Sequence, residues 1–305
     1  IEKGQNSLRA ARLAMALCEK GNAFALQGNC DTLWQDLENN LYRVDLNGYV
    51  DWRKQSILAD MCAELGLDRV ALGSEATARA LEAAYGDIFA WLGELPQIIE
   101  TEDFLCAHAG LDDLPLELQD AERCLCRDAF LEENPRFDRF VTVGHMPLAN
   151  YFFLTGNKLS YQPIIDLERN VISIDGGNGV KAVGQLNAVV YENGAFSWRS
   201  ADDLPKARVI AAQEESARYA SVAWNHKEVE LIRKGENASL CRHIFTGETL
   251  EIPNALLFEH CGALCSYDYT TYRPALMPGE EVAVLERNGS DAMIKKNGVL
   301  GWAKT

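Results

Sequence analysis

The feature that most limits what this chain can fold into is a recurrence. Short apolar runs break, one after another, at loops carrying glycine and a polar or metal-ligating side chain. Residues 23–27 run into Gly28-Asn29-Cys30-Asp31, residues 104–107 into His108-Ala109-Gly110-Leu111, residues 140–143 into Gly144-His145-Met146-Pro147, and residues 171–174 into Asp175-Gly176-Gly177-Asn178. Short apolar runs bounded by turn residues predict buried strands. In an open α/β sheet the strand ends face a common crevice, so the recurrence predicts loops that pool their side chains in one place.

Helical periodicity fills the gaps. Residues 7–20 place Leu8, Ala11, Leu13, Met15 and Leu17 on an amphipathic helix, with Asn6-Ser7 at its start and Gly21 at its end. A helical insertion is expected over residues 32–96, clearest at 56–65 and 74–95; it either walls a cleft or forms plain core helices. A further strand, 185–191, turns at Glu192-Asn193-Gly194. From Ala201 the composition shifts, and residues 201–220 read as a linker or a bridging helix. Beyond them, short β runs with Asn288-Gly289 and Asn297-Gly298 turns predict hairpins and a small SH3-like barrel. The expected organisation is therefore an α/β (α+β) domain over 1–200, a linker over 201–220 and an all-β domain over 221–305.

With 29 basic and 45 acidic side chains, the net charge is −16. Such a surface repels polyphosphate backbones and anionic membranes, so neither nucleic acid nor a membrane is an expected partner. An acidic enzyme still acts on phosphate where metal ions supply positive charge. The nine cysteines are odd in number and irregularly spaced, as expected of reduced thiols in a cytoplasmic protein. No signal peptide is expected, and the opening Ile1-Glu2-Lys3-Gly4 reads as a chain entered midway.

Histidine is scarce, with five in the chain, and two of them, His108 and His145, stand where apolar runs break. Imidazole nitrogen and the amide oxygen of Asn29 together suit a transition-metal ion. The blander reading makes the histidines hydrogen-bonded structural residues, and Asn29 and Asp31 helix caps. Cys241, His243, His260, Cys261 and Cys265 invite a zinc reading, but their spacing matches no compact zinc pattern. Tyr267, Tyr269 and Trp302 either line a groove for a peptide partner or pack internally.

The ordered motifs Gly28-Asn29-Cys30-Asp31, His108-Ala109-Gly110 and Gly144-His145-Met146-Pro147 resemble the calcineurin-like metallophosphoesterase superfamily, Ser/Thr protein phosphatase type. The likeness runs over roughly residues 1–195. It implies an αββα sandwich, two divalent metal ions (Mn, Fe or Zn) and hydrolysis of a phosphomonoester, a phosphoprotein among the candidates, by a metal-activated hydroxide. Asn29, His108 and His145 resemble three ligands of the second metal. The first metal's ligands are expected upstream of Ile1. Lys3 matches a phosphate-binding arginine, and Arg127 resembles a second one, its alternative being a surface ion pair. Asp31 resembles an orienting carboxylate, and Cys30 stands where the family has its general-acid histidine. Two other readings stay open: a non-catalytic phosphate- or phosphoprotein-binding module, and a dinucleoside polyphosphate or phosphodiester hydrolase of the same fold.

Overall fold

Helix-forming residues dominate the first hundred positions. The computed structural model, which describes residues 4–39 and 45–304, turns them into a helical cluster. Its elements are α1 (Ser7–Cys18), α2 (Leu33–Glu38), α3 (Leu46–Trp52), α4 (Ile57–Glu64), α5 (Arg69–Leu72) and α6 (Ser74–Gly93), the last kinked at Tyr85. Side-chain oxygens close the first turns of three of them: Asp45 accepts from Gly48 N–H, Ser56 from Ala59 N–H and Asp68 from Ala71 N–H. Each satisfies a backbone donor that the helix itself cannot. Tyr49, Leu58, Met61 and Leu81 form the buried centre, and Trp34 stacks on Phe89 with centroids 4.1 Å apart.

One helical expectation needs narrowing. On α1, Leu8 and Ala11 are buried and Met15 packs beside them, whereas Leu13 and Leu17 are exposed. At about 100° per residue, positions 8, 11 and 15 share one face, and 13 and 17 fall on the opposite one.

Chain contacts define two units: one runs up to His145 and includes Ile165–Ile172, and the other comprises Met146–Ile164 and everything from Ser173 onward. The first holds the helices and most of a five-stranded sheet. Its strands are β1 (Ile98–Glu100), β2 (Phe104–Ala107), β3 (Phe140–Val143), β4 (Ile164–Asp166) and β5 (Val171–Ser173), in the order β1-β2-β3-β5-β4. In β2 and β3 alternate residues are buried, namely Leu105, Ala107, Val141 and Val143. Phe104 and Phe140 meet across the pair. α7 (Ala121–Leu125), capped by Asp120, lies in the connection between these two strands.

Residues 23–27 do not form the expected buried strand. The run reaches the sheet region through Gln27 N–H to Pro96 O, just ahead of β1, and Phe24 is 79% exposed. A run with its largest apolar side chain in water gains too little from burial to behave as a core strand.

The second unit is built of small antiparallel sheets. β6 (Leu186–Glu192) and β7 (Ala195–Ala201) form a hairpin whose loop residues Asn193 and Gly194 have φ of 51° and 78°, the signature of a type I′ turn. β8 (Lys206–Arg208) lies in the segment 201–220 and pairs with residues 281–283. It is followed by β9 (Ser221–Val222), β10 (Val229–Arg233), β11 (Ala238–His243), β12 (Thr249–Pro253), β13 (Leu257–His260), β14 (Ala263–Ser266), β15 (Tyr269–Thr270), β16 (Glu281–Asn288), β17 (Asp291–Lys296) and β18 (Val299–Lys304). The larger sheets run β10-β11-β12 and β18-β17-β16-β8. Asn297-Gly298 makes the expected two-residue turn, while Asn288 is the last paired residue of its hairpin and Gly289-Ser290 forms the loop.

No bridging helix forms over 201–220. Asp202 is held by the buried Lys295 at 2.7 Å, and strand pairing resumes at Lys206. Burial pushes the Lys295 ammonium down from its usual pKa, against the pull of Asp202. A buried cation requires such a partner. The chain is thus mixed α/β with several small sheets, and among the described residues no helix is long and apolar enough to cross a membrane.

Candidate metal centre

Parallel pairing sets the two strand-end histidines side by side. β2 and β3 run parallel, with Cys106 opposite Thr142. Just beyond the ladder, Gly144 N–H donates to His108 O at 2.8 Å, so the main chains stay tied where the strands break. His145 then takes φ of 63°, a left-handed conformation unusual for a residue with a β-carbon. Its ring meets that of His108 edge-on, with centroids 5.0 Å apart.

Three donor atoms converge there. His108 Nε2 lies 3.0 Å from Asn29 Oδ1 and 3.1 Å from His145 Nδ1. On the far side of the His145 ring, Nε2 lies 3.0 Å from Asp128 Oδ1. An ionised carboxylate only accepts, so a neutral His145 carries its proton on Nε2 and keeps a lone pair on Nδ1. That lone pair and the Asn29 carbonyl oxygen both face His108 Nε2, whose single N–H they share.

The two spacings from His108 Nε2 suit ligands of one metal ion as well as hydrogen bonds. Ligand bonds of about 2.1 Å separate neighbouring ligand atoms by about 3.0 Å at octahedral right angles and by about 3.4 Å at tetrahedral angles. Two imidazoles and an amide oxygen suit Mn, Fe or Zn better than Ca. With a cation at that point, His108 would carry its proton on Nδ1. Among the described residues no group of three or more His, Cys, Asp or Glu side chains is arranged to hold a metal ion; the third donor here is an amide.

Gly28 makes room for this arrangement. A Cβ on it would lie 3.2 Å from His108 Cε1, 3.3 Å from His108 Nδ1 and 3.3 Å from Asp31 Oδ2. The glycine is needed less for a turn than for the close approach of the imidazole. Asp31 closes the loop: its carboxylate accepts from Gly28 N–H at 2.8 Å, and its own N–H donates to Gly28 O. Cys30 is half-buried and, with Asp31, lines a small apolar pocket beside Leu33, Trp34, Leu58 and Phe89. The helical cluster therefore walls this loop.

The Arg127 guanidinium is engaged by Leu111 O, Asp112 and Glu133, and its side chain is 9% exposed. Glu133 is held below the usual carboxylate range, chiefly by that arginine, and Asp112 likewise, chiefly by Arg123. Lys3 lies outside the described residues.

Two further side chains belong to the site. Asp128 holds His145, as above. Cys126 hydrogen-bonds with the Asn29 side chain; the surrounding protein pushes its thiol pKa up although the residue reaches solvent, the Cys30 charge adds to the rise, and the bond to Asn29 opposes it. Both flank Arg127 in sequence. Nothing in the sequence around them marks either residue, because their place depends on the path taken by the connection between β2 and β3. No protein-family model, curated protein or solved structure matches the chain.

Proposed function

We propose that this chain is a metal-dependent phosphoesterase of the calcineurin-like type, hydrolysing a phosphomonoester, with Asn29, His108 and His145 holding one of two divalent ions. The convergence of three donor atoms at spacings of 3.0 and 3.1 Å carries the reading. When bound, such an ion polarises a phosphoryl oxygen and lowers the pKa of water.

The chain's own residues supply positioning and a proton. Gly144 N–H fixes the backbone between the two histidines, and Gly28 sets the His108 ring against the Asn29 loop. Cys30, next in sequence to Asn29, stands where the family has its general-acid histidine, and its Sγ–H is the group on this loop that would give a proton to a leaving alkoxide. Asp31 braces the loop that carries Cys30. On the same reading, the sheet and helices belong to an αββα sandwich, the strands beyond 221 form an SH3-like barrel, and the phosphorylated substrate meets its positive charge locally on an otherwise acidic surface.

The test is p-nitrophenyl phosphate turnover with Mn²⁺ by the intact protein, including any sequence that precedes Ile1. Turnover that disappears in His108→Ala and His145→Ala supports the proposal, and a Cys30→His variant is expected to turn over faster. An intact protein with neither bound metal nor turnover contradicts it.

One observation favours a second reading, a non-catalytic phosphate-binding module. Arg127 is already engaged by two carboxylates, so clamping a substrate phosphate would require it to leave them. On that reading a His108→Asn variant keeps its affinity for a phosphopeptide while the wild type shows no turnover.

A further inference from the structure

We infer that Asp128 is a positioning residue of this site, holding the His145 proton on Nε2 so that Nδ1 presents its lone pair beside His108 Nε2 and Asn29 Oδ1. The inference rests on the metal-site reading above and extends it to a residue outside the ligand set.

The first support is geometric. His145 touches Asp128 with one ring nitrogen and His108 with the other, so fixing the proton at one end fixes the lone pair at the other. In the opposite tautomer the Nε2 lone pair would face a carboxylate oxygen at 3.0 Å, two acceptors without a proton between them.

The second support is how firmly Asp128 is presented. Its neighbour Arg127 is buried and tied to Leu111 O, Asp112 and Glu133. Arg127 also lies over the ring of Phe130, itself 1% exposed, at 5.2 Å. The absence of a side chain on Gly110 admits both: a Cβ there would lie 2.6 Å from Phe130 Cδ2 and 3.0 Å from Arg127 Cδ. The segment bearing Asp128 is thereby clamped onto the loop that bears His108. Arg127, on this view, acts through Asp128 rather than on substrate.

The third support is the exposure of Asp128 itself. Its side chain is 80% exposed, and exposed ion pairs of this kind contribute little to the stability of a fold. Outer partners that orient histidine ligands are worth about 10–100-fold in metal affinity.

The experiment compares Asp128→Ala and Asp128→Asn with wild type in the intact protein. Nitrogen-15 spectra of the histidine side chains, recorded without metal, are expected to show His145 as the Nε2–H tautomer in wild type. A tautomer mixture is expected in Asp128→Ala, and substantial rescue in Asp128→Asn, whose amide oxygen still accepts. Mn²⁺ binding is expected to weaken by about 10–100-fold in Asp128→Ala, less in Asp128→Asn, at an unchanged thermal midpoint. Equal tautomer populations and equal Mn²⁺ affinity in Asp128→Ala and wild type would overturn the inference while leaving the metal site standing. Wild-type protein that binds no Mn²⁺ would overturn the metal-site reading instead, and the tautomer comparison would still decide whether Asp128 sets the ring.

Discussion

The pairs His108–His145 and His226–His243 share a residue type and little else. In the first, ring nitrogens face one another and an amide oxygen, with a carboxylate behind. In the second, His226 stacks on Phe245 with centroids 3.7 Å apart, and Phe152 and Phe153 close around it. His243 is fully buried; its Nε2–H donates to His226 O at 2.6 Å, and its Nδ1 accepts from the Thr246 hydroxyl at 2.9 Å. Both nitrogens of that ring are already committed. Burial pushes the His243 pKa down, the opposing bond to the His226 carbonyl notwithstanding. The contrast lies in what each nitrogen faces: His108 Nε2 meets a second ring nitrogen and an amide oxygen, whereas each nitrogen of His243 has one partner outside any imidazole. It also accounts for Cys241, which the zinc reading grouped with His243. The two share the buried face of β11, where Cys241 packs with Val222, Leu250 and Ile252.

Exchanging readouts between the two pairs is the strongest way to break this contrast. His145→Ala is expected to weaken Mn²⁺ binding by more than the roughly 100-fold reached by losing an outer partner. His243→Ala should leave Mn²⁺ binding unchanged and lower stability by about 3 kcal/mol, as truncating a buried ring does. Calorimetric binding and denaturant unfolding of both variants decide it; a His243 variant that lost metal would remove the distinction.

A milder perturbation sharpens the first pair. Gly28→Ala presses a methyl onto the His108 ring and Asp31, and overpacking of this kind costs about 1–3 kcal/mol. Mn²⁺ affinity should fall with it, because the ring that must yield belongs to His108. Unchanged affinity would show that the ring has room to move.

The smallest expected effect concerns the second pair and pH. His243 has a lower pKa folded than unfolded, so the unfolded chain binds more protons as pH falls below about 6.5. Stability contributed by this residue is therefore complete above that pH and declines as pH drops toward the folded pKa. Thermal midpoints between pH 7 and pH 5 should fall less steeply in His243→Gln than in wild type. Parallel slopes would show that His243 does not carry the effect.

The parts of the fold that the sequence made legible are those governed by local chemistry. Strands β2 and β3 have the expected bounds because two apolar quartets end at residues that break strands. The turn at Asn193-Gly194 follows from the left-handed backbone that those residues tolerate. Likewise, α4 begins behind its Ser56 cap. Residues 23–27 misled because an apolar run says nothing about whether neighbouring backbone is present to pair with it. Leu13 and Leu17 misled because apolar character alone does not specify a helix face. That Asn29, His108 and His145 come together was legible from their positions at the ends of apolar runs. The contact of Asp128 with His145 was not, since it depends on a connection folding back over strands that begin and end elsewhere in the chain.

The central claim is that Asn29, His108 and His145 act as one metal-binding unit. It is tested most directly by the Mn²⁺ stoichiometry and affinity of the intact protein beside its Asn29→Ala, His108→Ala and His145→Ala variants. Loss of the same single equivalent in all three is the expected result. Wild type and all three variants binding Mn²⁺ alike, or none of them binding it, would contradict the claim.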